Sequence, residues 1–238
     1  MKLINLKSIA LVILAFTSTQ AVAQISISAS KIMSDIKKGK DITYSNMTIT
    51  GELDFTFRSE KENNLGTHRW WDGSNTVNED IDVEISFVNC TFEDDVLAYI
   101  HIERSGYTFT ADFEEEVTFK NCDFKRNAMF KYSEFDEEVD FSETKFNREN
   151  TFKYAEFDEK ANFANTMFDD DAIFKYAEFD NGVSFSGAEF RESLDIKYLD
   201  VRGMFDIDRM EVADDIDAKY TEINGESFTK YLYKSRKN

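Results

Sequence analysis

No proline occurs anywhere in the 238 residues, and glycine, cysteine and histidine are scarce at nine, two and two. The missing proline, set against 23 phenylalanines, excludes an intrinsically disordered chain, whose composition runs the other way. The histidines, His68 and His101, have no second ligand at metal-binding spacing, so no metal centre and no cofactor is expected. There is neither a nucleophile motif nor a glycine-rich phosphate loop, and no enzyme is expected. Positive charge is also short: 28 Lys and Arg stand against 47 Asp and Glu, a net charge of −19. That balance disfavours nucleic-acid phosphates and anionic membrane surfaces as partners. The leading apolar run, Ile9 to Phe16, has eight residues, far short of the roughly 20 that cross a bilayer, so no transmembrane anchor is expected.

That short run fits another use. Lys2 and Lys7 precede it and Ala21-Val22-Ala23 follows, the basic, apolar and small-x-small order of a cleavable export signal. Residues 1–23 are read as a signal peptide cleaved after Ala23, and the protein is expected to be periplasmic or secreted. Losing Lys2 and Lys7 takes the net charge from −19 to −21. Cys90 and Cys122 sit in matching phrases, Phe87-Val-Asn-Cys90-Thr-Phe92 and Phe119-Lys-Asn-Cys122-Asp-Phe124. An oxidising compartment permits a bridge between them. Two separate thiols filling small interior positions is the alternative.

What the chain does contain is a repeat. Phe130-Lys-Tyr-Ser-Glu-Phe135, Phe152-Lys-Tyr-Ala-Glu-Phe157, Phe174-Lys-Tyr-Ala-Glu-Phe179 and Ile196-Lys-Tyr-Leu-Asp-Val201 follow one another at a 22-residue interval. Large residues fall at Phe119, Phe124, Phe130, Phe135, Phe141, Phe146, Phe152, Phe157, Phe163, Phe168, Phe174, Phe179, Phe185 and Phe190, spaced alternately by five and six. A smaller residue stands two places before most of them. Residues two apart on an extended segment share a side, so each unit sends one small and one large side chain inward. A corner after every unit gives four sides per coil, and stacked coils place like residues in ladders about 4.8 Å apart. A helix cannot keep one face under this spacing. The expected fold is an all-β solenoid of about 22 residues per coil, with those phenylalanines as its core ladder and a short helix capping each end. The expected parts are a capping helix within 24–40, repeats over 41–226 with insertions at 56–82 and 93–116, and a cap over 227–238. In the first cap, Ser30 is the expected N-cap and Gly39 the C-terminal stop.

Units such as Ala155-Glu-Phe157-Asp-Glu and Ala177-Glu-Phe179-Asp-Asn resemble the pentapeptide-repeat family, whose phrase is small, polar, Leu or Phe, then two polar residues. The resemblance implies a right-handed quadrilateral β-helix. The extra residue in every second unit departs from the family phrase and predicts looser alternate corners. The family includes cytoplasmic DNA mimics that protect topoisomerases; export would place this chain away from such a target, and the analogy is one of fold.

Two candidate sites remain. Lys131, Lys153, Lys175, Lys197 and Lys219 should stack in one column beside Tyr132, Tyr154, Tyr176, Tyr198 and Tyr220, with Glu134, Glu156, Glu178, Asp200 and Glu222 beyond. The structural reading is that the carboxylates neutralise the lysines. The functional reading is a tyrosine stripe that grips a partner, since Tyr offers rigid contact area with a polar tip. The second candidate is the 56–82 segment, where Arg58, His68, Arg69, Trp70 and Trp71 concentrate cationic and aromatic types. Its alternative is that the tryptophans fold back over the first coil. The expected function is an exported, non-enzymatic scaffold binding a protein or cell-envelope component through a β-helix face or the 56–82 loop. A carbohydrate-binding or carbohydrate-acting β-helix using the Tyr stripe or Trp loop is the alternative. The self-association allowed for is an end-to-end dimer.

Overall fold

Two-residue strands cannot hold together alone, so each must find a partner in the next coil. In the computed structural model, which describes residues 25–62, 65 and 74–235, they do so along four parallel sheets. One coil runs through Val117–Lys120, Asp123–Phe124, Ala128–Met129 and Glu134–Phe135, one strand per sheet. We call these walls 1 to 4 in that order. Val117 then pairs with Val139, Phe124 with Phe146, Ala128 with Asn150 and Phe135 with Phe157. That register holds without a slip to the pairing of Val201 with Ile223.

Corners alternate between two kinds, in step with the five-and-six spacing. At the five-residue spacings the chain makes a hydrogen-bonded turn, as where the Ala155 N–H donates to the Phe152 carbonyl (3.0 Å) and Ala188 to Phe185 (2.9 Å). The third residue of each such turn has positive φ, as at Tyr154 (59°) and Gly187 (68°); a type II turn has this feature. At the six-residue spacings the chain bends openly through three residues such as 169–171, and the Asp169 N–H donates to Phe146 of the preceding coil (2.8 Å). These are the looser corners that the extra residue predicts.

Inside, the phenylalanines from Phe119 to Phe190 are all buried. Rings repeat up each wall nearly parallel: Phe124 to Phe146 at 4.9 Å and 2°, Phe130 to Phe152 at 5.3 Å and 6°, Phe157 to Phe179 at 4.5 Å and 9°. Across the core, walls 1 and 3 meet edge to face, as with Phe152 and Phe163 at 80° and Phe163 and Phe174 at 86°. The ring quadrupole favours offset and perpendicular pairs, each adding about 0.5–1.5 kcal/mol beyond burial. The result is a herringbone running the length of the rod. Among the small inward positions, Thr166 Oγ1 donates to the Phe141 carbonyl (2.9 Å). Asn150 is buried, with its Oδ1 lacking a partner.

The first end differs from expectation. Residues Ile25–Ser28 are a strand paired with Met47–Thr50, and only then does helix α1 (Ala29–Ile36) begin. Its N-cap is Ser28, not Ser30: the Ser28 Oγ accepts from the Lys31 N–H at 3.3 Å. The strand decides this, because pairing with Met47–Thr50 holds the chain extended up to Ser28. Lys37 is the C-cap, and Gly39 follows at φ 64°. At the other end, Glu226–Ser227 turns back antiparallel on Glu222–Ile223, and helix α3 (Phe228–Ser235) follows. There the Tyr231 hydroxyl donates to the Phe205 carbonyl (2.6 Å).

Both segments read as insertions supply coil strands. Within 56–82, Thr76–Ile81 joins wall 4 alongside Tyr107–Phe113. Within 93–116, Val96–Leu97 takes its place in wall 3, and the hairpin Tyr99–Ile102 with Tyr107–Phe113 is what lengthens the coil. Local alternation hides this, since a longer strand in wall 4 breaks the five-and-six count without leaving the sheet. Helix α2 (Arg58–Lys61) lies in the same region. Cys90 and Cys122 are buried free thiols in successive coils. Cys122 is pushed up by burial; Cys90 is held down to about 7, first by its hydrogen bond with Cys122.

Candidate functional site

A residue with positive φ crowds its Cβ against the backbone unless it is glycine, and asparagine tolerates it best of the rest. The turns between walls 1 and 2 largely respect this rule, with Asn46, Asn89, Asn121, Asn165 and Gly187 at the position and Glu143 and Arg209 as departures. The turns between walls 3 and 4 do not. There the same position is filled by Tyr132, Tyr154, Tyr176, Tyr198 and Tyr220, at φ between 59° and 65°. Such a backbone costs on the order of 1 kcal/mol or more at each residue.

The tyrosines form one continuous stack. Successive ring centroids are 4.9, 4.7, 4.6 and 4.8 Å apart, with planes within 8° until the last step at 24°. Tyr132, Tyr198 and Tyr220 are exposed, whereas Tyr154 and Tyr176 are half-buried between their neighbours. Stacking returns about 0.5–1.5 kcal/mol per pair, which only offsets the backbone strain. Asparagine would carry less of it. The backbone preference of the turn therefore does not account for tyrosine at this corner.

The flanking charges do not pair as expected. Among the described residues, no carboxylate lies within ion-pair distance of Lys131, Lys153 or Lys175. Their ammonium groups lie against the tyrosine stack instead, Lys131 at 4.6 Å from the Tyr132 centroid, Lys153 at 5.1 Å from Tyr154 and Lys175 at 5.4 Å from Tyr176. Lys131 also donates to the Tyr99 hydroxyl (3.2 Å). The reason is the turn itself: each lysine stands before its left-handed tyrosine, and each acid stands after it on wall 4. Glu134, Glu156 and Glu178 are exposed in register with one another and have no cation within ion-pair distance among the described residues. Burial, then the surrounding carboxylates, pushes Glu134, Glu156 and Asp158 above the usual carboxylate range. Burial, then Lys131 and Lys175, pulls Lys153 down. Lower on the corner the pattern closes, with Lys197 3.9 Å from Asp217 and Arg202 3.4 Å from Asp200.

The second candidate separates from the first. Arg58 opens helix α2, 3.3 Å from Glu52, against the groove between α1 and α2. His68, Arg69, Trp70 and Trp71 lie outside the described residues, as does the signal segment. His101 bonds Thr108 across the hairpin (2.9 Å), a local structural contact. Two further features lie elsewhere on the rod. A groove of about 450 Å³ follows wall 1 past Asp140, Asn162 and Ser184, and carboxylates converge at Glu134, Asp136 and Asp158 and at Asp170, Asp171 and Glu192. Among the described residues no helix is long and apolar enough to cross a membrane.

Comparison with known proteins agrees with this architecture. Residues 130–178 match the family model for pentapeptide repeats (9 copies). No curated protein and no solved structure matches the chain. The matched segment holds three of the stacked tyrosine turns, at Tyr132, Tyr154 and Tyr176. Proteins built on such repeats generally serve as structural or interaction scaffolds without catalysis. Residues 130–178 of this four-walled parallel β-helix are thus pentapeptide repeats.

Proposed function

We propose that this chain is an exported, non-enzymatic scaffold that binds a protein partner in the cell envelope through the tyrosine corner. The observation that carries the reading is the column of five tyrosines held in left-handed backbone, at a turn position that asparagine commonly fills on the other hydrogen-bonded corner. Strain retained against an available alternative is a reason to look for function. The column is rigid, partly exposed and bordered by unpaired charge of both signs, the make-up of a protein-binding ridge. Export rests on the leader pattern of residues 1–23.

A sugar would be gripped differently. Carbohydrate rings lie on exposed aromatic faces, but both faces of Tyr154 and Tyr176 are covered by neighbouring rings. What the column offers is ring edges and hydroxyls, which favours a protein over the glycan alternative.

The test is the double variant Tyr154→Asn/Tyr176→Asn. Asparagine suits the turn, so the fold should survive while crosslinking in the exported compartment loses its captured partner. Capture undiminished in the folded variant would overturn the proposal.

A further inference from the structure

We infer that the partner on the tyrosine corner is a second copy of this chain, the two rods lying side by side and parallel about a two-fold axis along their length. This rests on the proposed reading that the corner is a binding surface and names what it binds. The geometry is that of three adjacent columns. Lys131, Lys153 and Lys175 lie on one side of the tyrosine stack and Glu134, Glu156 and Glu178 on the other, at one common repeat. A two-fold axis parallel to the rod exchanges left and right but keeps top and bottom. Facing copies then set lysine against glutamate on both flanks and tyrosine against tyrosine at the seam. A perpendicular two-fold axis would set lysine against lysine.

The self-complementarity is specific to this corner. Both charged columns are unneutralised within their own chain among the described residues, and each would find its complement in the other copy. Because the two rods share one repeat, the match made at one coil is made again at the next.

The experiment is molar mass in solution by sedimentation, with folding checked by melting. The unaltered chain should show twice its monomer mass at low ionic strength and revert toward monomer as salt rises. Lys153→Glu/Lys175→Glu should be monomeric, and so should Glu156→Lys/Glu178→Lys. An equal mixture of the two should restore the doubled mass, and so should one chain carrying all four exchanges, because swapping both columns preserves the complement. A wild-type chain that stays monomeric at every concentration, or a four-exchange chain that fails to recover the mass, overturns the inference. If the monomeric rod still captures an envelope protein that Tyr154→Asn/Tyr176→Asn releases, the binding corner stands and only the second copy is refuted.

Discussion

At the scale of single residues, the tyrosine turns and the inward phenylalanines respond to opposite physics. Replacing Tyr154 and Tyr176 by asparagine removes three stacked pairs, worth about 1.5–4.5 kcal/mol together, and eases left-handed strain at two residues, so the net loss of stability should be smaller than the stacking alone would give. Alanine at the same positions loses the rings and keeps the strain, and should melt lower than asparagine. Thermal melts of the two double variants, compared at one pH and salt, check this ordering. Phe157 stands between Phe135 at 4.8 Å and Phe179 at 4.5 Å, fully enclosed. Phe157→Asp places an unpaired carboxylate there and should abolish soluble folded protein. A soluble variant with unchanged melting would mean the ring does not point inward.

At the scale of elements, the two helices at the ends close what the repeat leaves open. In α3, Phe228 and Tyr231 pack edge to face on Phe205 at 6.3 and 5.5 Å. The Tyr231 hydroxyl also donates to a backbone carbonyl of the last full coil. Tyr231→Phe should lower unfolding free energy by about 1 kcal/mol, the net worth of one such bond. Denaturant unfolding measures it, and no change would mean that the hydroxyl is equally well served by water. Helix α1 shows why end elements were only partly legible in the sequence. Its apolar spacing marks a helix, but its start depends on a strand pairing with a segment 22 residues away, Ile25 with Met47. Nothing local to Ser28 or Ser30 decides between them.

At the scale of the whole molecule, acidity and regular stacking combine. Glu134, Glu156 and Asp158 are held above the ordinary carboxylate range by burial and by one another, and Asp112 by burial first. The folded chain therefore binds protons more tightly than the unfolded one. The stability these groups contribute is present below the unfolded carboxylate pKa and is lost as pH rises through their folded values. Melting temperature should accordingly rise as pH falls from 7 toward about 5. Asp35, held low chiefly by its hydrogen bond with Lys31, loses its contribution only on acidification below the usual carboxylate value, outside that window. A melting temperature that falls steadily between pH 7 and 5 would contradict this account.

The repeat by itself determined the rod. Alternating five-and-six spacing with one large inward residue per unit admits a four-sided coil and little else, because only that path keeps every phenylalanine inside while pairing every backbone with its neighbour. The columns of like residues were legible for the same reason, since a constant 22-residue interval in sequence becomes adjacency in space. What only the tertiary structure decided was direction. The turn between walls 3 and 4 puts Tyr132 and its counterparts in left-handed backbone, sets the lysines against the tyrosine stack, and leaves the glutamates on the next wall. A linear sequence places Lys131 and Glu134 three residues apart and invites pairing; the corner between them keeps them apart. That separation leaves two opposite, unmatched columns on either side of an aromatic ridge, and it arises from backbone geometry that no residue spacing records.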